Sequence, residues 1–393
     1  MNILHVSPVF GAMSGFGGMA TSTEYLCSEL EKLGVNITII TTEESRFRPD
    51  DDSRFKQHDE WSFRTIRLPV VARTFERWTG LYYTPDFRKV YTKLADTADV
   101  VHLHGFRSYQ NFAAARAARK RRSKYILQPH GTAVRGYGKG VLKTAYDYVV
   151  GISQARSADA LIASAQIEAL QLGNLGIDPN KIHTIPHGVY PEMWTQIPTS
   201  PTLFRDSLHV ARNSPIVLFV GRLDLTKGLD LLIESFVTVL EKAPDAMLVL
   251  LGPDFGMQSQ LETRVQRHGL GNHVVFAGPA SQDLIRSAYR ESTVVVIPST
   301  YESFSLVALE AAAAGTPVVM TETCGLAVTF RRAGLAVTNA DILSLGKTIS
   351  MIVRDENFRE SQRVALDRLP WKKFTWREVA RAVLAVYEGT ING

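Results

Sequence analysis

The chain has 393 residues, 45% apolar and 21% charged, with a formal net charge of +5 and only two cysteines, Cys27 and Cys324. That length exceeds one ordinary core and implies two domains; the composition excludes a disordered chain, and two isolated cysteines exclude a disulfide framework or structural zinc. No apolar run reaches the roughly 18 residues of a membrane span, and MNILHVSPVF lacks a basic start and a small-residue cleavage site, so a cytoplasmic protein is expected.

The first half alternates strands and helices. ILHVS (3–7) leads into the Gly-rich loop GAMSGFGGMAT, then a helix around Thr23–Leu33 and strand NITIIT (36–41). An irregular polar stretch and an apolar–aromatic segment (61–95) precede strand VVHLH (100–104), a helix over 109–122 and strand YILQPH (125–130). A helical region near 140–152 and strands ALIAS (160–164) and IHTIPH (182–187) follow. Residues 191–214 are richer in Pro, Ser and Thr and are expected to link the domains. The pattern then restarts with strand IVLFV, helix 228–241, strand AMLVLLG, a helix near 257–267, strand HVVFAG and a helix near 281–290. Strand TVVVIPS, a short helix and strand PVVMT complete it. Trp376, Val379, Ala380, Val383, Leu384 and Tyr387 recur at helical spacing near the end, which predicts a closing amphipathic helix. Such alternation predicts open parallel sheets with helices on both faces, and ligand at the strands' carboxyl ends.

Four clusters carry chemistry. In PSTYESFSLVALEAAAAGTP, Glu302 and Glu310 stand eight residues apart across a helix start. A strand turning into a helix presents free N–H groups and the positive end of a dipole, an anion site. At about 1.5 Å rise per residue the two carboxylates lie roughly 10–12 Å apart, a span that suits hydroxyls at both ends of a ligand and phosphates between. In VGRLDLTKG, Arg222 follows a strand and Lys227 stands at the mouth of the next helix, so two cations converge where a diphosphate could lie. Fixed cations there stabilise a leaving diphosphate without a metal.

Gly15, Gly17, Gly18 and Ala20 satisfy a G-x-G-x-x-A count, with Glu43 ending the second strand. The dinucleotide fingerprint needs its first glycine at the strand end, whereas Gly15 comes well after Ser7; a longer Gly loop is the better reading. His104 and His130 end neighbouring strands, each before a glycine; His102 lies deeper on the face of His104, and His187 closes a strand near the link. Asp50–Asp52 contain an Asp-x-Asp spacing but no strand precedes them, so a solvated turn is expected; no metal site is expected anywhere.

The charge excess lies in residues 1–200, which hold 24 Lys+Arg against 19 Asp+Glu. Its focus is Arg116, Arg119, Lys120, Arg121, Arg122 and Lys124. Such a cluster is either a solvated helix face or a peripheral contact with an anionic inner leaflet. No finger, basic-heptad or RNA-binding signature points to nucleic acid.

With these clusters in order, the chain resembles the retaining glycosyltransferases of family 4 over nearly its whole length. The resemblance implies the GT-B fold: two doubly wound Rossmann-like α/β domains facing each other across a cleft. The first would be 1–200 with a returning helix in 372–393, on the acceptor side; the second, 201–371, would bind the donor. It implies that Arg222 and Lys227 hold the donor diphosphate, Glu302 the transferred sugar and Glu310 the ribose. Backbone N–H groups of Phe304, Ser305 and Leu306 would meet the distal phosphate, Gly17 and Gly18 would close over the donor, and the backbone near Ala280 would contact the base. His104 would line the reacting centre, with His104 and His130 as acceptor-side candidates.

The implied activity is sugar transfer from a nucleoside-diphosphate sugar to a glycan or lipid-linked acceptor hydroxyl, with retention, no cofactor and no metal. A UDP-sugar is favoured over GDP-mannose because nothing around Ala280 reads a purine. A sugar-nucleotide epimerase, a non-catalytic sugar-nucleotide or glycan-binding module, and a dehydrogenase are the alternatives. Two departures from the family pattern stand out: Ser305 where glycine is usual, and His187 and Tyr190 where Asn and Asp are commoner.

Overall fold

The computed structural model describes residues 1–11, 17–42, 62–71, 83–133, 150–196 and 203–393. Gly15, Glu43, Asp50–Asp52 and most of the helical region expected near 140–152 lie outside these. The chain divides into two compact units, Met1–Gly188 with Lys372–Gly393, and Val189–Trp371.

In the first unit, strands β1 (Asn2–Val6), β2 (Asn36–Thr42), β3 (Arg64–Leu68), β4 (Val100–His104), β5 (Tyr125–Gln128), β6 (Ala160–Ala163) and β7 (Ile182–Thr184) form one sheet in the order β3-β2-β1-β4-β5-β6-β7. Every pairing is parallel. The strands are connected through helices α1 (Gly18–Lys32), α2 (Phe87–Ala95), α3 (Tyr109–Arg121), α4 (Ile152–Arg156) and α5 (Gln166–Asn174). Strand β3 and helix α2 fall inside the apolar–aromatic segment 61–95; Phe87, Tyr91 and Ala95 are the buried face of α2. A core of Leu4, Val6, Phe87, Leu103, Phe106, Leu127, Leu161 and their neighbours lies under these helices.

In the second unit, β8 (Ile216–Val220), β9 (Met247–Leu251), β10 (Val274–Gly278), β11 (Val294–Ile297), β12 (Val318–Thr321) and β13 (Val337–Thr338) form a parallel sheet in the order β10-β9-β8-β11-β12-β13. Its helices are α6 (Pro191–Thr195), α7 (Leu203–Ser207), α8 (Leu229–Lys242), α9 (Gln258–Arg267), α10 (Gln282–Glu291), α11 (Leu306–Ala313), α12 (Ala327–Ala333), α13 (Ile342–Arg354) and α14 (Glu356–Leu366). The two short helices α6 and α7 occupy the stretch read as a link. They are fixed to α10: Arg286 reaches the Gln196 side chain at 2.7 Å, Arg290 reaches the Thr195 carbonyl at 3.2 Å, and Glu291 accepts from the amides of Phe204 and Arg205 at 2.9 Å. Those bonds place the change of unit at Gly188/Val189, earlier than the 200/201 expected from composition.

Helix α15 (Trp376–Asn392) belongs to the first unit. Trp376, Val379, Ala380, Val383 and Tyr387 are buried, with Val386 completing the stripe that sequence spacing gave to Leu384. Gly188 makes room for it: a Cβ there would lie 2.7 Å from the Trp376 Cα and 2.6 Å from its indole.

Each sheet reverses its winding once, between β1 and β4 and between β8 and β11. Loops leaving a sheet at such a point diverge and open a crevice at the strands' carboxyl ends. Gly17, Arg222, Lys227, Glu302, Phe304 and Ser305 sit on those loops and His104 ends β4, while His130 and Ala280 follow β5 and β10.

Candidate active site

In the second unit, β8 ends at Val220 and its loop carries Arg222, a short turn Leu225–Lys227 and then Gly228, the N-cap of α8. Asp224 organises the turn, accepting from the Thr226 amide at 2.9 Å and its hydroxyl at 2.6 Å. It also pairs with the Arg222 guanidinium at 3.1 Å, which lies 4.9 Å from the centroid of the Phe255 ring. Charge pairing and ring contact together hold Arg222 in one direction.

The loop after β11 approaches this turn closely. Thr300 donates to the Thr226 carbonyl at 3.0 Å, and a Cβ at Gly228, where φ is +63°, would stand 2.0 Å from the Pro298 carbonyl oxygen. Only glycine permits that approach. The contact delivers Lys227 to Glu302, Nζ to Oε2 at 2.5 Å, with both side chains about four-fifths buried. Glu302 is in turn pinned by its backbone, which bridges to Cys324 and accepts from Gly325 at 2.8 Å. Phe304 is buried, and Ser305 caps α11, accepting from the Ala308 amide at 3.3 Å. Leu306 is the first residue of α11, so its amide is among the open donors of the helix start.

Ser305 adopts φ +84°, ψ +89°. That region is costly for any residue with a Cβ, which explains why glycine suits the position, and the serine carries strain of about 1–3 kcal/mol. Replacing a serine cap by glycine loses only a few tenths of a kcal/mol. Ser305→Gly is therefore expected to stabilise the second unit by about 1 kcal/mol, read as a raised urea midpoint; a lowered midpoint would refute the strain.

Glu310, on α11, accepts from the Tyr289 hydroxyl at 2.9 Å. Burial raises its carboxyl to about 7, against which the Tyr289 bond acts to lower it. The residue retains some exposure. Because the folded value lies above the ordinary carboxylate range, the associated stability is complete below about pH 4.5 and is lost as pH rises through about 7. The second unit should lose on the order of 1–3 kcal/mol of stability across that window. Glu310→Gln should flatten that slope in thermal melts, and an unchanged slope would count against it. Ala280 stands beside Ser281, which caps α10 by accepting from the Leu284 amide at 3.3 Å.

In the first unit, Gly17 (φ +76°) is the N-cap of α1 and Gly18 its first residue, well after the end of β1 at Val6. That spacing is the long loop expected, not a tight dinucleotide turn. His104 is fully buried, and its two ring nitrogens face other imidazoles: Nε2 lies 2.9 Å from His5 Nδ1, and Nδ1 lies 2.9 Å from His130 Nε2. His102 stacks on His104 with centroids 4.2 Å apart and places Nδ1 2.7 Å from the Tyr387 hydroxyl. His187 lies parallel to His130 at 5.2 Å. Burial lowers all five histidines, His5 to about 3 and His187 to about 4. They are neutral at physiological pH.

Ligand nitrogens of His5, His102 and His104 lie within 4.8 Å of one another. His102 and His104 stack within 30° of parallel, whereas His5 and His104, with planes within 12° of parallel, meet edge to edge, Nδ1 to Nε2 at 2.9 Å. A metal needs in-plane lone pairs that converge on one point; His5 and His104 spend their facing nitrogens on each other, and the His102 ring lies in a plane stacked on that of His104. His5 was not read as a site residue. Its signal was faint: a histidine in the strand that parallel pairing places beside His102.

The family model for glycosyl transferases group 1 matches residues 202–365, and that for the glycosyl transferase 4-like domain matches 17–188. A D-inositol 3-phosphate glycosyltransferase of Xylanimonas cellulosilytica is 33% identical over 305 residues, 74% of this chain and 71% of that protein. An uncharacterized glycosyltransferase of Methanocaldococcus jannaschii is 26% identical over 383 residues, 95% of this chain and 94% of its own. Among solved structures, Anabaena HepE in complex with UDP-glucose matches with a TM-score of 0.77 at 18% identity, covering 99% of this chain and 100% of that one. Sucrose-phosphate synthase from Thermosynechococcus elongatus matches with a TM-score of 0.74 at 22% identity, covering 99% and 98%. Matching models in both units, and a relative one-third identical over most of its length, make this chain a member of the family 4, group 1 glycosyltransferases, with the GT-B fold.

Proposed function

We propose that the protein transfers a sugar from a nucleoside-diphosphate sugar, a UDP-sugar in preference to GDP-mannose, to an acceptor hydroxyl with retention and without a metal. The observation that carries this reading is the Lys227–Glu302 pair beside Arg222, at the start of α8 and α11. Arg222 and Lys227 take the diphosphate, and their charges stabilise it as the bond to the sugar breaks. Glu302, freed from Lys227 when phosphate arrives, hydrogen-bonds the sugar. The amides of Phe304, Ser305 and Leu306 receive the distal phosphate, Glu310 the ribose, and the Ala280 backbone the base. Gly17 and Gly18 close on the donor, and the departing phosphate accepts the acceptor's proton.

A thermal-shift screen of UDP-, GDP- and ADP-sugars tests the donor, since a ligand of the folded state raises its melting temperature. Turnover should persist after dialysis against EDTA; loss restored by Mn²⁺ would overturn metal independence. Donor consumption without any acceptor would favour the epimerase, and binding without turnover across an acceptor panel the non-catalytic module.

The acceptor is proposed to be a growing polysaccharide, glycolipid or cell-envelope glycan. The names of several relatives, D-inositol 3-phosphate glycosyltransferase and mannosylfructose-phosphate synthase, favour a second reading in which it is a small phosphorylated polyol or sugar. Inositol phosphates and sugar phosphates therefore belong in the panel.

No helix among the described residues is long and apolar enough to cross a membrane. Peripheral contact with an anionic leaflet through Arg116, Arg119, Lys120, Arg121, Arg122 and Lys124 is a separable part of the proposal. These residues lie on the second half of α3 and its link to β5, toward the amino ends of the strands. Arg121 pairs with Asp96 and Lys124 with Asp159 at 3.5 Å, while Arg116, Lys120 and Arg122 are exposed. Co-sedimentation with anionic but not neutral vesicles, weakened by salt, is the expected result; equal, negligible binding to both would assign the cluster to solvent and to the helix dipole.

A further inference from the structure

We propose that His5 and His104 are positioning residues that fix the tautomer of His130, so that His130 presents a neutral Nδ1–H donor to an oxygen of the bound ligand. The proposal rests on His130 facing ligand at the carboxyl end of β5, and its test reads the tautomer separately from turnover.

The three imidazoles form a chain: His5 Nδ1 to His104 Nε2 at 2.9 Å, and His104 Nδ1 to His130 Nε2 at 2.9 Å. A neutral imidazole has one N–H and one lone pair, so the chain has only two consistent states. In one, His5 Nδ1–H donates to His104 and His104 Nδ1–H donates to His130, leaving the outer proton on His130 Nδ1. In the other every bond reverses, leaving an N–H on His5 Nε2 and a bare lone pair on His130 Nδ1.

The ends of the chain decide between them. His5 Nε2 is buried with no hydrogen-bond partner among the described residues, and His5 as a whole has no exposed surface. An N–H sealed there would stay unsatisfied, and orphaned buried N–H groups are the rarer defect. His130 Nδ1 is likewise buried and without a partner among the described residues, but His130 ends its strand and keeps some exposed surface, whereas His5 has none. The first state is therefore favoured. Protonation of the chain is opposed by burial and by the neighbouring imidazoles His102 and His187; Tyr387, on α15, meets His102.

The backbone of His130 is held as firmly as its ring. His130 has φ +52° and Gly131 φ +76°, a turn closed by Thr132 donating to Pro129 at 3.1 Å. The Gly131 amide donates to Glu168, a fully buried carboxyl that also accepts from the Ser164 amide and hydroxyl, each at 2.7 Å. A strained conformation fixed from both sides is what a group needing a set direction requires.

The test is ¹⁵N-histidine NMR of the whole protein with His130 assigned by His130→Gln, together with kinetics. In the unsubstituted protein His130 should carry its proton on Nδ1; a proton on Nε2, or a charged ring at neutral pH, overturns the proposal whatever the activity. His104→Asn can still donate to His130 Nε2, and should keep the tautomer and kcat within about threefold. His104→Leu removes the donor, and should shift His130 to a tautomer mixture and lower kcat at least tenfold, with KM changed less. If His104→Leu folds and leaves the His130 tautomer unchanged, the relay is refuted. Should it not fold, His5→Leu is read the same way, and the measurement on the unsubstituted protein stands alone.

Discussion

Lys227→Ala is expected to lower kcat by on the order of 10²–10³, and Arg222→Ala by a similar factor. Both side chains lie on the loop between β8 and α8, and the structure aims them by different means: Arg222 through Asp224 and the Phe255 ring, Lys227 through Glu302. A simpler role for Lys227 is to neutralise Glu302. The double variant separates the two. If Lys227 serves only the carboxylate, adding Glu302→Gln to Lys227→Ala should restore activity to that of Glu302→Gln alone, because no uncompensated charge is left. If it binds the diphosphate, the double variant stays at least as slow as the single one. Neighbours in contact are not additive, so all four members of the cycle must be measured. Near-normal rates for both Lys227→Ala and Arg222→Ala would end the diphosphate role.

Trp376→Ala should destabilise the first unit by about 3–5 kcal/mol, the usual cost of emptying a large buried aromatic site. Trp376 is 2% exposed. Its ring meets Tyr25 edge-on at 5.8 Å and tilts against His187 at 6.4 Å. The vacated site cannot collapse easily, because the sheet behind His187 and the start of α15 are each anchored by other contacts. A fall of roughly 6–20 °C in the thermal transition of the first unit is expected for a unit of this size. Trp376→Phe should recover much of it. The chain has two units, so their transitions must be resolved separately. A loss under about 1 kcal/mol would show that α15 is not an integral part of the first unit.

The Glu302–Glu310 motif was legible because it is local. Glu302 and Glu310 are separated by one helix start, and β-branched strand residues, the Ala-rich helix and Gly315–Thr316–Pro317 each state their own conformation in short range. The departure at Ser305 was visible too, but its reason was not: only the positive φ shows what a side chain costs there. Arg222 and Lys227 were readable as cations at a helix mouth, whereas Lys227 meeting Glu302 depends on the approach of Gly228 to Pro298.

Composition and periodicity thus determined by themselves that this is a two-domain α/β chain of parallel sheets, and its motifs carried the resemblance to its family. These properties come from interactions over a few residues, or from sums over the whole chain. The tertiary structure alone decided the histidine chain, the Tyr289–Glu310 bond, the unit boundary and the partners of α15. His5 and His104 are 99 residues apart and His102 and Tyr387 are 285 apart. Each pair meets only because parallel pairing places β1 beside β4 and because α15 packs on that face. Long-range pairing of strands and the return of a terminal helix are set by how all the apolar faces are buried at once, and no local stretch of residues encodes that.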